Sequence, residues 1–260
     1  VILKPAETAS LSLMRMADLA LEAGLPPGVL NAVTGEGAVV GEAMGLSMDV
    51  DVLVFTGSGG TGRRLMEYSA RSNMKRVYLE LGGKSPNIVF ADAPNLAEAA
   101  KVTAAGIFRN AGQVCVAGSR LLVEASIHDE FVAAVTRAAE AMRVGDPLKT
   151  DTQIGAVNSE AQLTQNLQFV ETAQAEGGQI VTGGTRILQE SGGYYMAPTI
   201  VTDVTPEATL AQKEVFGPVL GVTSFRTDVE AVRIAKSIYI ELNPILNLLN
   251  IAIIILHFKN

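Results

Sequence analysis

The chain is poor in the side chains that build metal sites and disulfides. Its 260 residues include one cysteine, two histidines and no tryptophan. A single cysteine excludes an internal disulfide, and with two histidines it is too few for an ordinary zinc site, so no metal is expected. Since no signal peptide is visible either, the composition favours a reducing, cytoplasmic compartment.

Long apolar runs and clustered positive charge are missing as well. The apolar run Ile251–Leu256 is far shorter than the roughly 20 residues that a membrane-spanning helix needs. The formal net charge of −7 argues against a nucleic-acid surface, which requires clustered Lys and Arg. Because 48% of the residues are hydrophobic, we expect one large domain or two ordinary ones, without membrane or nucleic-acid partners.

The first eighty residues alternate between predicted strands, glycine-containing turns and helices. Strands are predicted at Val1–Leu3, Val29–Val33, Asp51–Thr56 and Arg76–Leu81, and helices at Leu11–Ala23, Val39–Gly45 and Arg63–Ser72. This alternation is typical of a parallel α/β sheet with right-handed crossovers. Ligands of such sheets sit at the carboxyl ends of the strands.

A glycine-rich turn, Gly57–Gly62, is predicted at one of these strand ends. Its sequence is Gly-Ser-Gly-Gly-Thr-Gly. Absent side chains let a phosphate approach the backbone, and the N–H groups and dipole of the following helix favour its negative charge. Ser58 adds a hydroxyl donor. Such turns also serve simple packing, so the segment by itself leaves phosphate binding and packing equally open.

A second α/β unit is predicted to begin at Gly82-Gly83, the expected domain boundary. Its predicted strands are Pro86–Phe90, Arg120–Glu124, Gln179–Thr182, Thr199–Val204 and Leu220–Phe225, and its helices are Asn95–Asn110, Ile127–Arg143, Ser159–Glu176 and Val229–Lys236. A glycine-rich surface excursion, Gly183–Gly193, is predicted between two of the strands.

The two ends of the chain suggest a fragment. The opening Val1–Pro5 reads as a strand entering a turn, which predicts that an N-terminal part lies upstream. In residues 237–260 glycine disappears, Ile, Leu and Asn dominate, and the pattern of the preceding helix is lost. A buried apolar helix or strand is one interpretation of this tail, and a reading-frame shift or truncation artefact is the favoured one.

Two side chains outside the glycine-rich segment are candidates for chemistry. Cys115 lies between a predicted helix and a predicted strand, where a thiol can be aimed into a cleft as a nucleophile. The alternative is an inert structural cysteine, since free Cys is among the most buried residue types. Glu80 ends a strand beside two glycines, and its alternative is a solvated charge. A thiol, a base and a dinucleotide site together suggest covalent chemistry with hydride transfer.

Five short motifs occur in a fixed order along the chain. They are Lys4–Glu7 (Lys-Pro-Ala-Glu), Phe55–Ser58 (Phe-Thr-Gly-Ser), Glu80–Lys84 (Glu-Leu-Gly-Gly-Lys), Gly112–Cys115 (Gly-Gln-Val-Cys) and Glu214–Val219 (Glu-Val-Phe-Gly-Pro-Val). In this order and spacing they resemble the NAD(P)-dependent aldehyde dehydrogenase superfamily, from Val1 to about Lys236. Two further segments, Ser72–Val77 and Ala105–Phe108, look like bacterial enzymes that oxidise ω-amino aldehydes such as γ-glutamyl-γ-aminobutyraldehyde.

The resemblance implies an aldehyde-dehydrogenase-like α/β fold. Residues 1–81 would form the C-terminal part of an NAD-binding domain with a partial Rossmann-type parallel sheet. Residues 82–236 would form part of an α/β catalytic domain, and 237–260 would lie outside the family. The whole parent protein would be a homo-oligomer.

The same resemblance implies the catalytic roles. Cys115 would attack the aldehyde carbon and form a thiohemiacetal. The oxyanion would be held by the Cys115 N–H and an Asn that lies upstream of this chain, and losing one such donor costs other enzymes about 10²–10³ in rate. After hydride transfer Glu80 would activate the water that hydrolyses the thioester to an acid.

The cofactor roles are also implied by the resemblance. Lys4 and Glu7 would hold the adenine ribose, Ser58 the pyrophosphate and Glu214 the nicotinamide ribose, with Phe216 packing nearby. The remaining cofactor-binding positions would be Gly37, Gly57, Gly62 and Leu81. An acidic Glu7 accepts ribose hydroxyls and repels a 2′-phosphate, so NAD is favoured and NADP is the alternative.

Two other functions stay open at this stage. The chain as given is alternatively a non-catalytic fragment that binds at most a nucleotide or a partner subunit. A related thiol enzyme that releases an acyl-CoA is the third option, and Glu80 discriminates against it because hydrolysis needs an activated water.

Overall fold

The computed structural model describes residues 1–238 and the backbone of a strand at Ile254–Ile255. The chain divides into two compact units, Val1–Leu81 and Gly82 onward. Apart from Ser237, Ile238 and that strand, the predicted tail lies outside the described residues. Among the described residues, none of the helices is long and apolar enough to cross a membrane.

The first unit consists of short parallel strand pairs and helices. Its strands are β1 (Ile2–Leu3), β2 (Asn31–Ala32), β3 (Val52–Gly57) and β4 (Arg76–Leu81), and its helices are α1 (Ser10–Glu22), α2 (Glu42–Leu46) and α3 (Gly59–Ala70), with a π-helical turn at Gly37–Gly41 before α2. β1 pairs with β2 and β3 with β4, both in parallel. The predicted parallel pairing is therefore confirmed, although within the unit the strands form two separate pairs.

The glycine-rich segment was predicted as a turn, and that prediction was wrong. β3 continues through Gly57, and α3 begins at Gly59. Ser58 is the N-cap of α3, where its Oγ accepts a hydrogen bond from the N–H of Thr61 at 3.2 Å. A capping serine stabilises a helix start by about 1 kcal/mol, enough to offset the poor helix propensity of a glycine.

The core of the first unit is small. Leu53, Leu65 and Tyr68 are its buried apolar residues, and partly buried neighbours pack around them. On the other face of the β3–β4 pair, Val54 is 73% exposed and Tyr78 is 54% exposed. Helix α1 buries none of its residues. Little apolar area therefore stabilises this unit.

The second unit is built on a larger sheet. Its strands are β5 (Pro86–Val89), β6 (Arg120–Glu124), β7 (Gln179–Thr182), β10 (Thr199–Thr202), β11 (Val219–Phe225) and β12 (Ile254–Ile255). They lie in the order β12-β5-β6-β11-β10-β7. Neighbouring strands are parallel except β7, which is antiparallel to β10. The predicted surface excursion carries β8 (Arg186–Ile187), which pairs antiparallel with β9 (Tyr195–Met196).

Helices cover the larger sheet. They are α4 (Leu96–Phe108), α5 (His128–Glu140), α6 (Glu160–Ala175), α7 (Thr209–Gln212) and α8 (Asp228–Lys236), of which only the short α7 was not predicted. Strands β5 and β10 are buried along their whole length. An extensive apolar cluster and a smaller one around Phe225 and Ile234 pack on the sheet. Leu121 and Val123 of β6 belong to the first cluster and Leu122 to the second, so both faces of this strand are covered.

Candidate active site

The candidate residues of the first unit lie at the carboxyl ends of its strands. Lys4 and Glu7 follow β1, Gly37 follows β2, and Ser58 follows β3. Glu80 and Leu81 end β4, where they pair with Thr56 and Gly57 of β3. This is the edge at which parallel sheets ordinarily bind ligands.

Glu7 is held by two partners from this edge. Its Oε1 accepts hydrogen bonds from the backbone N–H of Gly37 at 2.6 Å and from Lys4 Nζ at 3.1 Å. The backbone N–H of Glu7 itself, Lys4 and Gly37 together lower the pKa of the Glu7 carboxyl. A cavity of about 280 Å³ lies beside it, lined by Pro5, Ala6, Glu7, Ser10, Thr34, Gly35 and Glu36. A fixed carboxylate thus borders a small cavity.

The amino end of α3 presents bare backbone. A Cβ built at Gly59 or Gly60 would meet no atom within 4 Å, so this first turn is open. By contrast, a Cβ at Gly62 would lie 3.0 Å from Leu81 Cδ2, and one at Gly57 would collide with the ring of Phe55. Two of the glycines therefore permit close packing, while the other two leave the helix terminus accessible to an anion.

The candidate residues of the second unit lie at the opposite edge of their strands. Segment 82–85 precedes β5, Cys115 precedes β6, and Glu214 and Phe216 precede β11. Since β5, β6 and β11 are mutually parallel, these three segments meet at the amino edge of the sheet. Three motifs that are far apart in the sequence are thereby brought together.

A left-handed run of backbone shapes the loop before the cysteine. Asn110, Ala111 and Gly112 have φ values of +53°, +52° and +72°. Asn tolerates this conformation, whereas Ala adopts it only under strain. A Cβ at Gly112 would collide with the backbone carbonyl of Gly217, so this position requires glycine for its space as well as for its φ.

Gln113 fixes the loop after this run. Its Oε1 accepts from the backbone N–H of Asn158 at 3.0 Å, and its carbonyl accepts from Asn110 Nδ2 at 3.0 Å. Sequence reasoning missed Asn110 and Asn158, because a support 45 positions away leaves no local signal. Cys115 itself is a free, exposed thiol. The interpretation of Cys115 as a buried cysteine is therefore wrong.

Glu214 lies over the two glycines that precede β5. Its Oε1 accepts from the N–H of Gly83 at 3.3 Å, and a Cβ at Gly82 would collide with its carboxylate. A Cβ at Gly83 would lie 3.3 Å from the carbonyl oxygen of Cys115. The two bare positions thus let Glu214 and the cysteine loop approach the same backbone.

Electrostatics and exposure distinguish the neighbouring side chains. Burial raises the pKa of Glu214, and the Gly83 N–H and the Lys84 charge partly offset this. Phe216 has a φ of +55° and is 40% exposed. Lys84, which sequence reasoning gave no role, is only 2% exposed. Glu80 and Cys115 belong to different units, and each is an exposed side chain.

Comparison with known proteins supports one family. The model of the aldehyde dehydrogenase family matches residues 1–243. The NADP/NAD-dependent aldehyde dehydrogenase PuuC of Escherichia coli is 48% identical over 236 residues, which are 91% of this chain and 47% of that protein. The chain thus spans about half the length of the curated relatives it matches.

Solved structures agree. The aldehyde dehydrogenase KauB from Pseudomonas aeruginosa is 51% identical with a TM-score of 0.89, over 90% of this chain and 48% of that one. The γ-glutamyl-γ-aminobutyraldehyde dehydrogenase from Burkholderia cenocepacia is 47% identical with a TM-score of 0.89, over 92% of this chain and 48% of that one. An indole-3-acetaldehyde dehydrogenase solved with NAD⁺ is 50% identical with the same TM-score. The chain belongs to the aldehyde dehydrogenase family.

Proposed function

We propose that this chain carries the nucleophile and cofactor-binding residues of an enzyme that oxidises an aldehyde to a carboxylic acid with NAD. The observation that carries the proposal is the exposed thiol of Cys115, on a left-handed loop whose backbone lies against Gly83 and Gly217. Covalent catalysis at a carbonyl requires such a nucleophile, held in an accessible and fixed position.

The residues present fit the cofactor. The open first turn of α3 offers N–H groups and a helix dipole to a pyrophosphate. Glu7, with its pKa lowered, offers an ionised acceptor to ribose hydroxyls and repels a 2′-phosphate, which favours NAD over NADP. Glu214 offers a second carboxylate to a ribose, and the exposed ring of Phe216 offers a packing surface beside it.

The chemistry begins at Cys115. Its thiolate adds to the carbonyl carbon, so an S–C bond forms and the carbonyl electrons move to the oxygen. The backbone N–H of Cys115 donates to this oxyanion, the kind of contact that contributes most in acyl transfer. A bound NAD would supply the hydride acceptor, and loss of the hydride from this carbon would leave a thioester on Cys115. Glu80 then takes a proton from water, whose oxygen attacks the thioester carbon; the C–S bond breaks, and the thiolate and the acid are released.

We further propose ω-amino aldehydes as the substrate class. The basis is the pair of segments Ser72–Val77 and Ala105–Phe108, together with the substrate named for the Burkholderia relative. Homo-oligomerisation of the whole protein and a cytoplasmic location also remain predictions.

The test is the rate of NADH formation by the whole protein with γ-glutamyl-γ-aminobutyraldehyde. We expect Cys115→Ala to lower kcat by about 10³-fold or more, because the covalent step is lost. Leu148→Ala truncates an exposed loop side chain and serves as the control that keeps the wild-type rate. Equal rates in wild type and Cys115→Ala would contradict the proposal. Acyl-CoA as the main product in the presence of coenzyme A would show that the thioester is transferred to a thiol and not hydrolysed.

A further inference from the structure

Two side chains of α6, Gln162 and Asn166, form an amide pair that contacts the segment carrying Glu214. They are one helical turn apart and therefore share a face of the helix. Gln162 Nε2 donates to the backbone carbonyl of Val215 at 2.9 Å. One atom of the Asn166 amide lies 2.8 Å from Gln162 Nε2 and 3.2 Å from the same carbonyl oxygen. The α6 amide pair thus meets the residue that directly follows Glu214.

Burial shows that this contact is not an incidental surface bond. Asn166 is 0% exposed and Gln162 is half-buried. Val215 is buried in a loop, where no helix or strand ladder supplies a donor to its carbonyl, so a side chain supplies it. Because burying an amide is costly unless it is hydrogen-bonded, an apolar helix face would be the simpler way to pack here. The pair therefore indicates a role in fixing the loop.

The same segment also supports the cysteine loop. A Cβ at Gly217 would collide with the side-chain amide of Asn166, so the backbone at Gly217 lies directly on that amide. A Cβ at Gly112 would in turn collide with the carbonyl of Gly217. Contacts therefore run from Asn166 through Gly217 to Gly112. As a result, the left-handed cysteine loop and the Glu214 segment are packed against each other, and the α6 amide pair supports both.

We propose that Gln162 and Asn166 are positioning residues. They hold the Glu214 carboxylate and the Cys115 thiol at a fixed separation. This rests on the proposed function, in which the carbon bound to Cys115 loses a hydride to a cofactor that Glu214 helps to hold. Because a small misplacement of reacting groups lowers a rate steeply, a support shared by both loops acts on kcat. A merely structural amide pair would act on the stability of the unit alone.

The first measurement is amide hydrogen exchange in the whole protein without cofactor. Gly83 reports on the Glu214 carboxylate, to which its N–H donates at 3.3 Å. Gln113 reports on the cysteine loop, where its N–H donates to Asn110 O at 3.1 Å. Gln162→Met keeps the length of the side chain and removes its donor. We expect the protection factors of both reporters to fall roughly three- to tenfold, as for the loss of one hydrogen bond.

The amides of the buried strand β11 separate this local effect from a general loss of stability. We expect them to lose less protection than Gly83 and Gln113. Asn166→Leu is the second variant and should loosen the same two reporters. Gln168→Met makes the same chemical change at an exposed position of α6 and should behave like wild type. Equal losses at Gly83 and in β11, or an unchanged Gln113, would overturn the proposal.

The second measurement is NADH formation by the whole protein with γ-glutamyl-γ-aminobutyraldehyde at saturating NAD⁺. We expect Gln162→Met to lower kcat about tenfold and to leave the aldehyde KM within about twofold, because the reactants bind but are misaligned. Gln168→Met should keep the wild-type kcat, and so should Ser159→Ala, which removes the cap of α6 but neither member of the amide pair.

A wild-type kcat in Gln162→Met would overturn the positioning role. If wild type itself forms no NADH, the proposed function falls, while amide exchange separately decides whether the α6 amide pair holds both loops.

Discussion

The two units present their candidate residues on opposite edges of their parallel strands. In the first unit each candidate lies at or after the carboxyl end of a strand, and the proposed anion site is the bare amino end of α3. In the second unit the candidates precede β5, β6 and β11. The first arrangement uses a helix dipole and a cap. The second uses loop backbone that glycines allow to lie close together, so one fold class builds sites in two physically different ways.

The scaffolds beneath the two edges differ as much as the edges do. The buried core of the first unit comprises Leu53, Leu65 and Tyr68, whereas the second unit buries β5 and β10 entirely. A strained loop such as Asn110–Gly112 persists only where the surrounding structure over-determines it. The cysteine loop has such surroundings, since Ala111 belongs to the large apolar cluster of the second unit.

The largest loss of stability is expected from a substitution at Gly112, in the loop at the amino edge of the second unit's sheet. Gly112→Ala places a Cβ against the carbonyl of Gly217 at a φ of +72°, and we expect a loss of about 2–6 kcal/mol from strain and overpacking. Denaturant unfolding of the whole protein measures it. Gly106→Ala is the matched control, since it lies within α4 in open space and should gain about 0.5–1 kcal/mol. Equal midpoints for the two variants would refute this account of the loop.

Two equivalent helix caps, one in each unit, allow a comparison in which a loss of stability of intermediate size is expected. Ser58 caps α3 and Ser159 caps α6, each accepting from a backbone N–H at 3.2 Å. Either Ser→Ala change should destabilise its own helix by about 1 kcal/mol, measured by amide exchange in the first turn. Only Ser58→Ala should also weaken NAD⁺ binding. Weaker NAD⁺ binding by Ser159→Ala as well would show that the carboxyl edge of the first unit has no special role.

The smallest expected effect is the acid sensitivity of the carboxyl edge. The folded state lowers the pKa of Glu7 below its ordinary value of 4.5, so Glu7 contributes stability above that value and loses it as pH falls through the folded pKa. The protection factor of the Gly37 amide, whose N–H donates to Glu7, should fall over this range in wild type once the pH dependence of intrinsic exchange is divided out. It should stay constant in Glu7→Gln. Glu67→Gln, an exposed change on α3, is the control that should retain the fall in protection, and its absence there would assign the effect to net charge.

Local patterns predicted most of the elements but few of the contacts within the site. The strands Arg76–Leu81, Arg120–Glu124 and Gln179–Thr182 have their predicted bounds, because alternating or continuous apolar residues are local signals. The prediction of a turn at Gly57–Gly62 was wrong because four glycines indicate a turn, whereas the N-cap Ser58 allows the helix to begin at Gly59. The exposure of Cys115 also ran against the usual burial of free cysteines.

Contacts within the site depend on residues far apart in the chain. Gly83 and Glu214 are 131 positions apart, and Gln113 and Asn158 are 45 apart. Lys84 illustrates the limit most clearly. A lysine beside two glycines reads as a surface charge, and only packing of the unit makes it a buried ammonium.

By itself the sequence determined the α/β class, the parallel pairing, most of the helix and strand positions and, through five ordered motifs, the family. These follow from periodicity and from short segments, which are properties of neighbouring residues. The tertiary structure decided which edge of each sheet carries the candidate residues, that the cysteine loop is left-handed, and that Lys84 is buried. Such features arise from contacts between distant segments, because only packing decides what a residue is buried against.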